Sequence, residues 1–353
     1  MLVAMTRRTF LAASTAAVAA TPSTEIASEG NRFLINGAPT YKGRSWRGHK
    51  IEGLLMNTRM VNGIFDDRNP ESRGNFKYAD TGEWDANRNT REFVAAMPEW
   101  RRHGVLSFNV NMQGGNPRGY ASKQPWVTGA FLPNGDIIPE YLNRLRLILD
   151  KANELGMAPQ LGVFYFGQDQ VLESDAAIRR ALRNTIEFVL TRDYKHVLLE
   201  VANECNNSKY DQALLKPDLI PILMKEARSI TVRRRRLLVG TSFNGNTLPP
   251  EEVTAVSDFL LLHGNGVKDP NRIREMVRQV RKQKTYASQP VLFNEDDHFD
   301  FDKPDNNYIA AVSEYASWGI MDVEGYQTVP VNWGIDTDRK RGFFNLTKEM
   351  TGA

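Results

Sequence analysis

Between Thr40 and Met350, short apolar runs alternate eight times with longer stretches of helical periodicity. The runs are Thr40–Trp46, Val105–Met112, Ala158–Gly167, His196–Glu204, Leu237–Phe243, Asp258–Asn265, Gln289–Glu295 and Ile320–Gln327. Several, such as "HVLLEVA", are apolar without alternation, the pattern of a parallel strand buried on both faces. The segments between them carry helix punctuation: Pro139 opens one and Gly156 follows its end. Strand–helix alternation implies a parallel α/β sheet. Eight units in order predict a closed (β/α)₈ TIM barrel, and residues 27–353 suffice for one such domain with insertions. An open doubly wound sheet would carry a glycine-rich phosphate loop after its first strand, and the sequence has none there. Ahead of the first run, "NRFLINGAPTYKG" reads as a hairpin lid turning at Asn36-Gly37.

The first 26 residues differ in kind. Arg7 and Arg8 precede Phe10 and Leu11, then an Ala- and Val-rich run, then small residues before Pro22. This is the order of an export signal, and the Arg pair resembles the twin-arginine type. The expectation is an exported protein, periplasmic or extracellular, with no membrane insertion after signal cleavage. The apolar run is shorter than the roughly 20 residues a membrane span needs. A single cysteine, Cys205, rules out an internal disulfide framework. A net charge of +3 does not suggest a nucleic-acid binder. The run Arg233–Arg236 sits at a helix C-terminus, where cations favour the dipole, and reads as a solvated end.

Two connections are long: Arg44 to Asn87 and Met112 to Asp136. Both follow strands, so in a barrel both lie on the C-terminal face, where active sites are built. Their aromatic residues, Trp46, Tyr78, Trp84, Tyr120 and Trp126, suggest ordered loops facing a ligand. Trp46, Trp126, Asn111, Gln113 and Tyr326 are therefore candidate substrate contacts.

Glu204 ends the fourth run and Glu295 the seventh. In a barrel the two strand ends face one another across the mouth. Facing carboxyls, one protonated and one ionised, are the equipment of retaining glycoside hydrolysis, which requires a separation of about 5–5.5 Å. Glu200 shares a strand face with Glu204 and reads as an interior support. Cys205, with no adjacent His, reads as a structural thiol.

These motifs carry a family resemblance. "LEVANE" and "PVLFNE" resemble the strand-four and strand-seven motifs of the clan-A retaining glycoside hydrolases of cellulase and mannanase type. The resemblance implies Glu204 as acid/base, Glu295 as nucleophile and Asn203 as a contact to the sugar 2-hydroxyl. It also places His263 near the nucleophile, makes Arg44 the candidate arginine that keeps Glu295 ionised, and implies a carbohydrate substrate with no cofactor. The sequence departs from the family at Cys205, where Pro is usual, and at Asn265, where Tyr is expected. Trp318 and Trp333 flank the eighth run where the family has a tryptophan at its end. Two alternatives stand beside this reading: a metal-dependent hydrolase built on Glu295, Asp296, Asp297 and His298, and a catalytically silent sugar-binding barrel.

Overall fold

The computed structural model describes residues 23–353. The expected export signal lies outside them except at its end, where the structure moves the boundary. Thr24 bonds Asn153 and Ile26 begins a strand, so both belong to the folded domain.

Eight parallel strands follow one another around a barrel: β1 (Asn57–Arg59), β2 (Ser107–Asn111), β3 (Gln160–Tyr165), β4 (Leu198–Asn203), β5 (Leu238–Gly240), β6 (Leu260–His263), β7 (Val291–Glu295) and β8 (Gly319–Ile320). Continuous ladders join β5, β4, β3, β2, β1 and β8 in that order, and β6 pairs with β7. Two short contacts close the ring. Asp258 donates to the Val239 carbonyl between β5 and β6 at 2.9 Å, and Phe293 to the Ser317 carbonyl between β7 and β8 at 2.9 Å. The fold is the (β/α)₈ barrel. A helix follows each strand, among them Ala86–Arg102 after β1 and Asp175–Thr191 after β3, capped by the side chains of Asp85 and Ser174.

The first and last strands are not where the apolar runs suggested. The barrel opens at Asn57–Arg59, not at Thr40–Trp46; Ser45–Trp46 instead pairs antiparallel with His49–Lys50. β1 is three polar residues, all buried; the side chains of Asn57 and Arg59 bond other strands, Asn57 donating to the Phe293 carbonyl at 3.0 Å. At the other end, β8 is two residues long, and Val323–Gln327 forms a helical turn capped by Asp322 instead of continuing the strand.

The hairpin at Asn36-Gly37 is real, and both residues have positive φ, 53° and 75°, as a two-residue primed turn requires. It belongs to a three-stranded sheet that plugs the N-terminal end of the barrel. Phe33 and Ile26 pack there against Leu55, Leu106, Leu198, Phe259 and Leu292. With that end sealed by apolar side chains, polar chemistry is left to the C-terminal mouth.

Candidate active site

β4 runs apolar until Glu200, whose buried carboxyl accepts a hydrogen bond from Ser242 Oγ at 2.5 Å. Ser242 Oγ also accepts the backbone N–H of Glu204 at 2.9 Å. Just past the strand, Glu204 takes φ +48°, a left-handed conformation uncommon for a residue with a side chain. That turn breaks the strand alternation, so neighbouring Asn203 and Glu204 both reach the cluster at the mouth. Held non-glycine residues of this kind concentrate at functional sites.

Across the mouth, Glu295 ends β7. His263, at the end of β6, sits between the two acids. Its Nδ1 lies 3.1 Å from Glu204 Oε1 and 3.6 Å from Glu295 Oε2. One oxygen of each carboxyl and this nitrogen all lie within 4.8 Å of one another. Arg59, from β1, forms an ion pair with Glu295 Oε2 at 2.7 Å and donates to Asn203 Oδ1 at 3.2 Å. Asn265 donates to Glu295 Oε1 at 2.6 Å, and Asn207 to Glu204 Oε2 at 3.3 Å. The two glutamates line a cavity of about 280 Å³, together with Tyr120, Tyr165, Phe166, Asn244 and Met321.

The electrostatics follow from burial and these neighbours. Desolvation works against a charged His263, but Glu295 and Glu204 outweigh it and raise its pKa. Desolvation is also the largest influence on both acids. At Glu204 the hydrogen bond and charge of His263 overcome it, and the carboxyl is lowered. At Glu295 burial prevails over Arg59 and His263, helped by repulsion from Glu204, and the carboxyl is raised. Two acids this close titrate as a pair, so the low and high values belong to the pair. Once one is ionised the other holds its proton harder, which yields a one-proton state. Within that state, the Arg59 ion pair and the Asn265 bond favour placing the charge on Glu295.

The structure brings Asn203, His263, Glu204 and Glu295 together. It separates others from them. Arg44 donates to the carbonyls of Met350 and Glu349 in the last helix, so Arg59 stands beside Glu295 in its place. Trp46 donates to Glu349 and packs in the core. Tyr326 stacks on Trp333 and donates to the Gly334 carbonyl. Gln113 is spent on the Tyr165 N–H and the Gln168 carbonyl. Asn111 packs inside the barrel against Gly162. Trp126 lines a neighbouring cavity. Trp318 and Trp333 are both buried, and Met321 stands at the cavity wall.

Of the four-residue metal set, Asp296, Asp297 and His298 offer ligand atoms within 4.8 Å of one another, and Glu295 is not grouped with them. Glu295 faces the cavity, while Asp296, the next residue on an alternating strand, is buried and accepts from His298, Asn307 and Trp318. The closer group of Glu204, His263 and Glu295 has a cation beside it already, Arg59. Burial pushes the Cys205 thiol up, away from thiolate chemistry.

Arg59, Asn207 and Ser242 were not anticipated as site residues, and Asn265 only as a departure. A signal for Arg59 exists in "LLMNTRMV", where apolar residues flank a polar triplet.

A β/α barrel with paired acids at the ends of β4 and β7 is thus the class of molecule in hand. No sequence profile of a known protein family matches the chain, and no curated protein matches it in sequence. Solved structures do resemble it. The endo-1,4-beta-mannanase of Rhizomucor miehei superposes with a TM-score of 0.57 at 10% identity, over 93% of this chain and 99% of that one. A GH5-4 broad specificity endoglucanase from Bacteroides salanitronis gives 0.53 at 10% identity, over 84% and 93%. A Bacteroidetes-affiliated GH5 cellulase gives 0.52 at 11%, over 84% and 90%. The chain shares the barrel fold of these glycoside hydrolases.

Proposed function

We propose that the protein is a retaining glycoside hydrolase. The observation that carries this reading is the pair Glu204 and Glu295, with carboxyl oxygens within 4.8 Å across a cavity and an arginine against one of them. A double displacement uses carboxyls at short separation; inversion needs room for a water between them, about 6.5–9.5 Å. Glu204, free of the arginine, protonates the departing oxygen and later activates water. Glu295, held by Arg59 and Asn265, attacks the anomeric carbon and forms the glycosyl-enzyme. His263 Nδ1, 3.1 Å from Glu204 Oε1, holds the acid/base in position. Asn203, whose Nδ2 has no partner among the described residues, is placed to donate to the 2-hydroxyl of the sugar. Tyr120, Tyr165 and Phe166 offer faces against which a sugar ring stacks.

The substrate is a carbohydrate, and β-1,4-linked glucans and mannans are the first to try, since the mannanase and cellulases share the fold. Export by the twin-arginine route is part of the proposal and rests on the N-terminal sequence; fusing residues 1–26 to a reporter tests it. For the chemistry, Glu295→Ala abolishes turnover of an aryl glycoside, and azide restores it with a glycosyl azide as product. Retained activity in that variant overturns the assignment. A wild-type protein that binds glycans without cleaving any is the silent barrel.

A further inference from the structure

The loops after β2, β3 and β4 enclose a second cavity, of about 470 Å³. Its lining includes Gln124, Pro125, Trp126, Gln170, Lys209 and Asp211. Lys209 also lines the cavity of the two glutamates, and Phe166 of the first cavity is followed in the chain by Gly167 of the second. The two spaces therefore adjoin.

The wall is built before any ligand arrives. Gly167 N–H and Gln170 Nε2 donate to the Lys209 carbonyl at 3.2 and 3.0 Å. Asp169 Oδ2 accepts the Asp211 and Gln212 N–H groups at 2.9 and 2.8 Å. Gln168 Nε2 ties the Trp126 carbonyl to the same wall at 3.2 Å. Such cross-links fix a binding surface in advance and reduce the ordering cost on association.

One group in this wall is unfinished. Both amide atoms of Gln124 are buried, and neither has a partner among the described residues. Unpaired buried amides are uncommon. A glutamine offers two donors and an acceptor, which matches adjacent hydroxyls on a sugar. Pro125, Trp126 and Val127 supply apolar surface beside it for the C–H face of a ring. The lining holds one cation, Lys209, and one anion, Asp211. That balance suits a neutral sugar and gives no excess charge for a uronate.

We propose that this cavity is a subsite for a further neutral sugar unit of an oligosaccharide whose scissile bond lies between Glu204 and Glu295. The proposal rests on the glycosidase reading above. The test compares kcat/KM for β-1,4-linked gluco- and manno-tetrasaccharides with that for the corresponding nitrophenyl monoglycosides. Gln124→Ala lowers the ratio of the two by about tenfold or more, and Gln124→Glu, which keeps the size and adds a charge, lowers it too. Thermal unfolding of both variants confirms that they fold. An unchanged ratio in both overturns the subsite. If the wild type cleaves no glycoside, the glycosidase reading fails, and calorimetric titration with the same tetrasaccharides tests the cavity alone. Binding that Gln124→Ala weakens supports the subsite, and absent or unaffected binding overturns it.

Discussion

The Arg59 guanidinium lies 2.7 Å from the Glu295 carboxylate, with the two side chains only 1% and 5% exposed. Removing one partner of a buried pair leaves an uncompensated charge and costs about 3–5 kcal/mol. Arg59→Met is therefore expected to lower unfolding stability by that order. Arg59→Met with Glu295→Gln recovers much of the loss, because the stranded charge is gone. Denaturant titration of the three proteins checks this. Equal losses in the single and double variants would show that the pair is not what Arg59 stabilises.

Asn265 donates to Glu295 Oε1 at 2.6 Å. Asn265→Asp replaces that donor by a like charge, which raises the pKa of Glu295. The acidic limb of the kcat/KM profile, below which Glu295 is protonated, is expected to move to higher pH. A pH–rate series on an aryl glycoside reads this directly. A limb that stays in place or moves down contradicts the assignment of Glu295 as the ionised partner.

Asn203 has its amide oxygen on Arg59 and an Nδ2 with no partner among the described residues. Asn203→Ala is expected to lower kcat/KM by about 10²–10³-fold on a natural glycoside, since contacts to the 2-hydroxyl strengthen in the transition state. On the 2-deoxy glycoside the same variant loses far less. Equal losses on the two substrates would assign Asn203 to holding Arg59 alone.

His196 is buried, with Nε2 on the Leu149 carbonyl at 3.0 Å, and burial lowers its pKa to about 4. Its unfolded value is about 6.5. A depressed histidine is neutral in the fold, so its contribution is intact above the unfolded pKa and lost as pH falls toward the folded one. Linkage then predicts a loss of about 2 kcal/mol between pH 7 and pH 5 from this residue. His196→Leu should flatten the fall in unfolding stability over that window by a similar amount. Denaturant midpoints at the two pH values, with the same slope in each protein, give the answer.

How much of this was legible before folding depends on where each signal resides. β2 to β7 are three to six residues long and lie within apolar runs, and their burial on both faces is written in composition. β1 is "NTR", whose Asn57 and Arg59 are buried against partners on other strands, Phe293, Asn203 and Glu295. Local sequence carries no trace of those partners. β8 is two residues, too short for any periodicity.

The aromatic residues illustrate the same limit. Trp46 and Tyr326 look like sugar contacts in sequence, yet they are core, since a large ring is stabilised by burial wherever the fold provides a wall. Tyr165 and Phe166, inside an apolar run, look like core and line the cavity.

The sequence by itself determined the strand–helix order and the two acids that end strands four and seven, because both are periodic or positional features of a local segment. Tertiary structure alone decided which arginine meets Glu295, where the tryptophans go, and that Asn265 bonds the second oxygen of Glu295: these are contacts between segments distant in the chain, and they exist only once the barrel has closed.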